Sequence, residues 1–259
     1  MTSIAEELLS EKRGSTLWLS LNRPERRNAL TVDLVRQLAD AVIESGRDSD
    51  VRSIALTGAG TVFCAGGDLT DLSAVADRGA RAVTDVIYLQ FQRLVRALAE
   101  VPFPVIAAVN GPALGAGLDL AMACDLRVSS ADAVFASSWI SVGLVPGMGG
   151  AHLLSRAIGS TRASEMVLLG ERISPELALD WGLVNKVVPA ELLHESVDAM
   201  AANLAKFSLP ALKSSKESLR RALSSGFEQE LAILGATQGG LLTSQEFRDA
   251  TVRFRKDSR

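Results

Sequence analysis

Histidine and cysteine are scarce in this chain: His152 and His194, Cys64 and Cys124, and no others in 259 residues. The two histidines are far apart, and no His/Cys/acid set has the spacing of a metal site, so no metal centre is expected. No nucleophilic triad is evident either, and His152 reads as a surface or helix-face residue. A chain with two thiols and no secretion signal is expected to keep them reduced in a cytoplasmic setting. Residues 1–14 carry Glu6, Glu7 and Glu11 instead of an apolar signal core. No apolar run approaches the ~18 residues of a membrane span. An excess of positive charge is also missing. The net charge is −3 and the pI near 5.5, which argues against nucleic acid or an anionic membrane as partner. Nucleotide-binding loops are absent: Gly58 and Gly60 are followed by Phe63, Gly115 and Gly117 by Leu120, and no Gly-Lys-Ser/Thr occurs.

Apolar residues make up 47% of the chain, enough for one large domain with or without an appendage. The first half alternates strands and helices. Strands are predicted at Thr16–Leu21, Val51–Thr57, Val105–Val109, Leu126–Ser129 and Leu183–Val188. Leu30, Leu34, Leu38 and Val42 form a helical stripe with Thr31 as its N-cap, and a longer stripe runs from Val83 to Leu98 until Pro102 and Pro104. Short helices are predicted at Gly115–Cys124, Gly150–Ile158 and Arg162–Leu169, and another begins at Ser174-Pro175-Glu176. Past Pro189 only helices are predicted: Glu191–Ala205, Leu209–Leu223, Phe227–Leu242 and Gln245–Arg255. The expected division is an α/β core over 1–190 and a helical C-terminal region over 191–259.

Two glycine-rich turns carry the chemistry. The strand ending Leu56-Thr57-Gly58 leads to Phe63-Cys64-Ala65-Gly66-Gly67-Asp68, and Val105–Val109 leads to Asn110-Gly111-Pro112-Ala113-Leu114-Gly115-Ala116-Gly117. Small residues admit a ligand to the main chain. A helix start exposes unpaired N–H groups, and two such ends facing one point would form an oxyanion hole. Taken alone, the same glycines also fit tight turns that allow close packing.

Together with Asn22-Arg23-Pro24-Glu25-Arg26-Arg27-Asn28-Ala29-Leu30 and Gly143-Leu144-Val145-Pro146-Gly147-Met148-Gly149-Gly150, these segments resemble, in order and spacing, the four signatures of the enoyl-CoA hydratase/isomerase (crotonase) family. The resemblance runs from about Ser15 to Phe254. It implies a crotonase-like spiral of strand–strand–helix turns with a helical C-terminal region. It also implies an acyl-CoA thioester as substrate, coenzyme A entering only as part of that substrate and no other cofactor, and a homotrimer or a dimer of trimers. The family hosts several reactions, so the resemblance does not choose among them.

Carried over residue by residue, the Gly67 and Ala116 amides match the oxyanion-hole positions, and Ala116 stands where glycine is usual. Asp119 matches a position usually held by a glutamate that handles water. It lies at i+3 from Ala116 on the same helix face and is flanked by Leu118 and Leu120, a setting that raises a carboxyl pKa. An ordinary acid complementing a helix dipole fits the same position. Trp139 stands where hydratases carry their second glutamate. An indole offers only a donor, so it can wall an acyl pocket, stack on an aromatic acyl group, donate one hydrogen bond, or be a core residue. An aromatic residue here resembles the chlorobenzoyl-CoA dehalogenase branch, but Gly147 occupies the place of that branch's nucleophilic aspartate, which excludes dehalogenation. Arg26 and Arg27 match the CoA-lining segment, though loop arginines are also ordinary solvated charges. The Ala65 carbonyl matches the adenine contact, and Asp68, Gly115, Pro146 and Gly147 fall in the same substrate-lining segments. The basic end, Arg253 to Arg259, is shorter than the family's Lys-rich tail, which meets the 3′-phosphate. The reading is an acyl-CoA enzyme, nominally hydratase/isomerase, with Asp119 as its single acid. The alternative is an acyl-CoA binding protein with little or no catalysis.

Overall fold

Two all-buried and mostly apolar segments, β3 (Ser53–Gly58) and β4 (Val105–Val109), sit at the centre of the main sheet. Such continuous apolar runs belong to parallel strands covered on both faces. The computed structural model describes residues 6–222 and 224–257, with side chains up to Val252. Its main sheet also contains β1 (Leu8–Arg13), β2 (Thr16–Leu21), β6 (Leu126–Ser130) and β9 (Lys186–Val188), in the order β1-β2-β3-β4-β6-β9. All neighbours are parallel except the β1–β2 hairpin. The edge strand β1 is mostly exposed and carries Glu11, Lys12 and Arg13, charges that discourage further strand addition.

Each central strand feeds a short second pairing and then a helix. From β2 the chain passes a bridge between Leu30 and Gly67 into α1 (Val32–Ser45). From β3 it passes a bridge between Cys64 and Ala113 into α2 (Leu69–Ala76). After the turn α3 (Ala80–Ala82), a π-helical stretch Val83–Tyr88 runs into α4 (Leu89–Glu100). From β4 the chain forms β5 (Ala113–Leu114) and α5 (Ala116–Ala123), and from β6 it forms β7 (Phe135–Ala136) and α6 (Gly150–Leu168). β5, β7 and β8 (Arg172–Ile173) make the small second sheet. This repeated strand–strand–helix course is the expected spiral.

Local signals explain the boundaries. Thr31 accepts the Leu34 N–H at the start of α1, and Ser174 accepts the Leu177 N–H at the start of α7 (Pro175–Asp180), with Pro175 in its first turn. Gly159, at φ 79 and ψ 161, breaks α6 where two helices are predicted. Beyond β9 lie α8 (Leu193–Leu204), α9 (Leu209–Arg221), α10 (Phe227–Leu242) and α11 (Gln245–Asp257). Leu193, Val197 and Ala201 of α8 pack with Trp18, Ala55, Ile106 and Val128 on the sheet, so α8 is part of the sheet's covering layer although it follows residue 190. α10, by contrast, buries none of its residues. The predicted helix end at Leu223 and the basic end at Ser258 and Arg259 lie outside the described residues, as do the side chains from Arg253 on.

Candidate active site

One side chain holds the two glycine turns together. The Asn110 Oδ1 accepts the Gly58 N–H at 3.1 Å and the Thr57 hydroxyl at 3.2 Å, and its Nδ2 donates to the carbonyls of Gly58 and Gly60 at 2.8 and 2.9 Å. An amide using both its acceptor and its donors in this way fixes the two strand ends relative to each other. Further along, the Leu114 N–H donates to the Cys64 carbonyl, and Gly117 lies so close to that carbonyl that any Cβ there would clash. This glycine lets α5 approach the first turn.

On this frame the main chain of the first turn is pinned on both sides of Gly67. The Leu30 N–H donates to the Gly66 carbonyl, and the Asp68 N–H donates to the Leu30 carbonyl. The Gly67 N–H has no acceptor among the described residues. In the second turn the Gly115 N–H reaches the Ala136 carbonyl, and the next amide, Ala116, opens α5 and also has no acceptor there. Gly66 at φ 112 and Gly115 at φ 52 adopt backbone angles that side chains resist. Ala116 is already helical, so its methyl brings no strain. Ala65, Gly67, Gly115, Ala116, Ser138 and Trp139 line one cavity of about 110 Å³. Gly67 and Ala116, the two residues whose amides lack an acceptor among the described residues, thus line the same small space.

Behind this cavity lies Asp119, fully buried, with neither carboxylate oxygen in a formed hydrogen bond. Burial pushes its pKa up to about 7, while the Trp139 indole N–H and the amides of Met148 and Gly150 draw it partly back. The Trp139 Nε1 is itself buried and unpaired. Its influence is that of a nearby dipole outside hydrogen-bonding geometry. Gly150 makes room for the carboxylate, because any Cβ at 150 would overlap it. Asp119 is not among the residues lining the small cavity, whereas Trp139 is.

A second cavity, of about 330 Å³, adjoins the first, and Leu69, Leu72, Trp139 and Leu144 line both. Its remaining wall comes from α2, the π-helical stretch and α4, including Val83, Ile87, Tyr88 and Phe91. Sequence reasoning missed these residues. α2 buries only Val75, so it carries no readable core stripe, and the apolar stripe through Ile87 and Phe91 reads as plain core. The π-helical stretch was a usable signal only once its geometry was known.

The other predicted residues fall on two levels. The Ala65 N–H donates to the Arg27 carbonyl, so the Arg26–Arg27 loop runs beside the first turn. Both arginines are exposed and form no ion pair among the described residues. Arg27 and Asn28 have left-handed backbones, at φ 53 and 54. The buried Asn28 holds this bend through its Nδ2, which donates to the carbonyls of Ala59 and Val62. Asp68 has another task. Its carboxylate caps α2 through the Thr70 and Asp71 amides and pairs with Arg23 at 3.0 Å, which leaves it engaged in the fold. Pro146 and Gly147 are half-buried and line neither cavity; the Tyr88 ring lies directly over Gly147. His152 is exposed, and Cys64 and Cys124 are buried free thiols whose pKa burial pushes up to about 12. Among the described residues no His/Cys/acid group could hold a metal ion, and no helix is long and apolar enough to cross a membrane.

Known proteins share this fold. The family model for enoyl-CoA hydratase/isomerase matches residues 11–256. The chain is 34% identical over 249 residues to a 1,2-epoxyphenylacetyl-CoA isomerase of Escherichia coli, covering 96% of this chain and 95% of that protein. It is 32% identical over 249 residues to a short-chain-enoyl-CoA hydratase of Clostridium acetobutylicum, covering 95% and 94% of the two chains. The crystal structure of an enoyl-CoA hydratase from Polaromonas sp. JS666 superposes with a TM-score of 0.92 at 36% identity, covering 96% of this chain and 97% of the other. By its spiral fold, its paired turns and these matches, the chain belongs to the enoyl-CoA hydratase/isomerase family.

Proposed function

We propose that the chain binds an acyl-CoA thioester with its carbonyl oxygen between the Gly67 and Ala116 amides, and that Asp119 is the single acid/base of the reaction. The observation that carries this reading is the meeting of two unpaired backbone donors in one cavity, with a buried carboxyl of pKa about 7 behind it. Donors fixed in place before charge develops stabilise an enolate oxygen without reorganisation, and one such donor is worth ~3 kcal/mol. A carboxyl poised near neutrality can take a proton and return it.

One carboxylate suits double-bond migration better than hydration. In migration Asp119 removes a proton from a carbon next to the unsaturated system. The electrons move onto the thioester oxygen, and the same proton returns at the other end of the conjugated system. Hydration needs a second group to orient water, and Trp139 offers only an N–H. In this reading the exposed Arg26 and Arg27, on the loop beside the first turn, meet the phosphates of CoA, and the Ala65 carbonyl meets its base. The exposed apolar residues Phe227, Leu231 and Leu242 of α10, together with a groove of about 580 Å³ beside α9 and α11, support a subunit contact in a homotrimer or a dimer of trimers.

A second reading, acyl-CoA binding with little catalysis, is favoured by one observation: Trp139 lines the cavity and Asp119 does not. Incubation with enoyl-CoAs separates the two by following the position and loss of the conjugated chromophore. Turnover that falls ~10²–10⁴-fold in Asp119→Asn, with thioester affinity kept, supports the proposal. Wild-type binding without any turnover supports the second reading.

A further inference from the structure

The larger cavity has a chemistry of its own. Resting on the thioester placement proposed above, we infer that it seats an uncharged hydrocarbon acyl tail of roughly ten to twelve carbons. The cavity adjoins the proposed thioester site, since Leu69, Leu72, Trp139 and Leu144 line both spaces. Size sets the length. An apolar cavity of about 150 Å³ takes one benzene, so about 330 Å³ takes roughly twice as many carbon atoms. A single aryl ring would leave about half of it unfilled.

The lining sets the charge. No lysine, arginine or histidine borders this cavity, and Ser73 and Tyr88 supply its only hydroxyls. A tail ending in a carboxylate would be desolvated there without a cation. Ser73 and Ala76 are exposed, as are Leu69 and Leu144, so the cavity opens to water. A longer tail would therefore emerge into water and gain nothing from its extra carbons. This sets the chain apart from two of its relatives by their names, the short-chain-enoyl-CoA hydratase and a 2,3-dehydroadipyl-CoA hydratase of Escherichia coli that is 36% identical.

The test is a binding series by calorimetry on the full chain. The probes are free CoA, its butyryl to hexadecanoyl thioesters, phenylacetyl-CoA, and a ten-carbon thioester ending in a carboxylate. Affinity should rise roughly two- to fourfold per methylene up to about twelve carbons and then level off. The carboxylate-ended tail should bind at least tenfold more weakly than decanoyl. Ala76→Phe, at an exposed helix end where folding is not at risk, should weaken decanoyl and dodecanoyl binding tenfold or more and leave butyryl within twofold. Val83→Lys should narrow the penalty on the carboxylate-ended tail. Butyryl or phenylacetyl binding as tightly as dodecanoyl would overturn the inference and leave the thioester site standing, as would equal binding of charged and uncharged tails. If no thioester bound better than free CoA, the thioester placement itself would fall.

Discussion

Relative to the wild type, a protein with Asp119 replaced by asparagine should gain stability as the pH rises, and by the function proposed above it should lose turnover. The carboxyl shifts from an ordinary 3.8 to about 7 because it is buried without a formed hydrogen bond. About three pH units at ~1.36 kcal/mol each give about 4 kcal/mol. The sign follows from proton counting. Between pH 4 and pH 7 the folded state holds this proton and the unfolded state has released it, so stability falls as pH rises and the loss is complete above pH 7. Asparagine has nearly the same shape and no charge, so the variant escapes this loss. Its amide brings an unpaired donor worth ~1–3 kcal/mol of destabilisation, but that contribution is the same at every pH. The observable is therefore the difference between the two proteins at two pH values. From pH 5 to pH 8 the variant should gain roughly 3 kcal/mol on the wild type, about 6–12 °C in Tm for a domain of this size. Thermal melts at equal protein concentration, without ligand, give the number directly. A gap that stays constant between pH 5 and pH 8 would refute the reasoning, because it would mean that the carboxyl titrates in an ordinary solvated setting.

Other substitutions probe the frame around this group. Trp139→Phe removes the N–H that lowers the Asp119 pKa, so the ascending limb of a pH–rate profile should move to higher pH; an unmoved limb would show that the indole does not act on the carboxylate. Gly150→Ala should place a methyl against Asp119 and reduce turnover at least tenfold, with the affinity for free CoA unchanged as measured by calorimetry. Asn110→Ala should lower stability by about 2–3 kcal/mol in urea titration and raise KM, since it takes the Asn110 partner from the Gly58 N–H and from the Gly58 and Gly60 carbonyls, while the Thr57 hydroxyl keeps the Ala108 carbonyl. Lys216, buried against the carbonyls of Leu98 and Phe103 and 2.7 Å from Asp125, ties α9 to the core, and Lys216→Met should cost about 3 kcal/mol in the same titration.

The periodic elements were readable because their pattern and their burial coincide. The stripe Leu34, Leu38 and Val42 faces the core as its spacing requires, Val105–Val109 is a buried strand from end to end, and Phe227–Leu242 is a helix over its predicted span. β1 escaped notice because Leu8–Arg13 is an edge strand without a buried face. The two-residue strands of the second sheet are too short for any period to show. In the site, the glycine turns were legible because tight backbone angles leave a chemical trace in the sequence. Asp68 could not be assigned that way: its cap and its pairing with Arg23 depend on a helix that was not foreseen. The seclusion of Asp119 behind Trp139 and the wall supplied by Tyr88 come from segments distant in sequence, and no local pattern announces them.

The unpaired amides of Gly67 and Ala116 also make the site its own reporter. Backbone hydrogens in the buried strands beside them exchange with solvent only when the sheet opens, because their carbonyl partners shield them. These two have no such shield, although Asn110 and the Leu30 bridges hold their surroundings rigid. They should thus be fast-exchanging points inside a slow-exchanging frame. An oxygen seated between them would slow both together without any change of fold. Deuterium uptake at the two positions then measures occupancy and orientation of a thioester at once, in a protein carrying no label and performing no reaction.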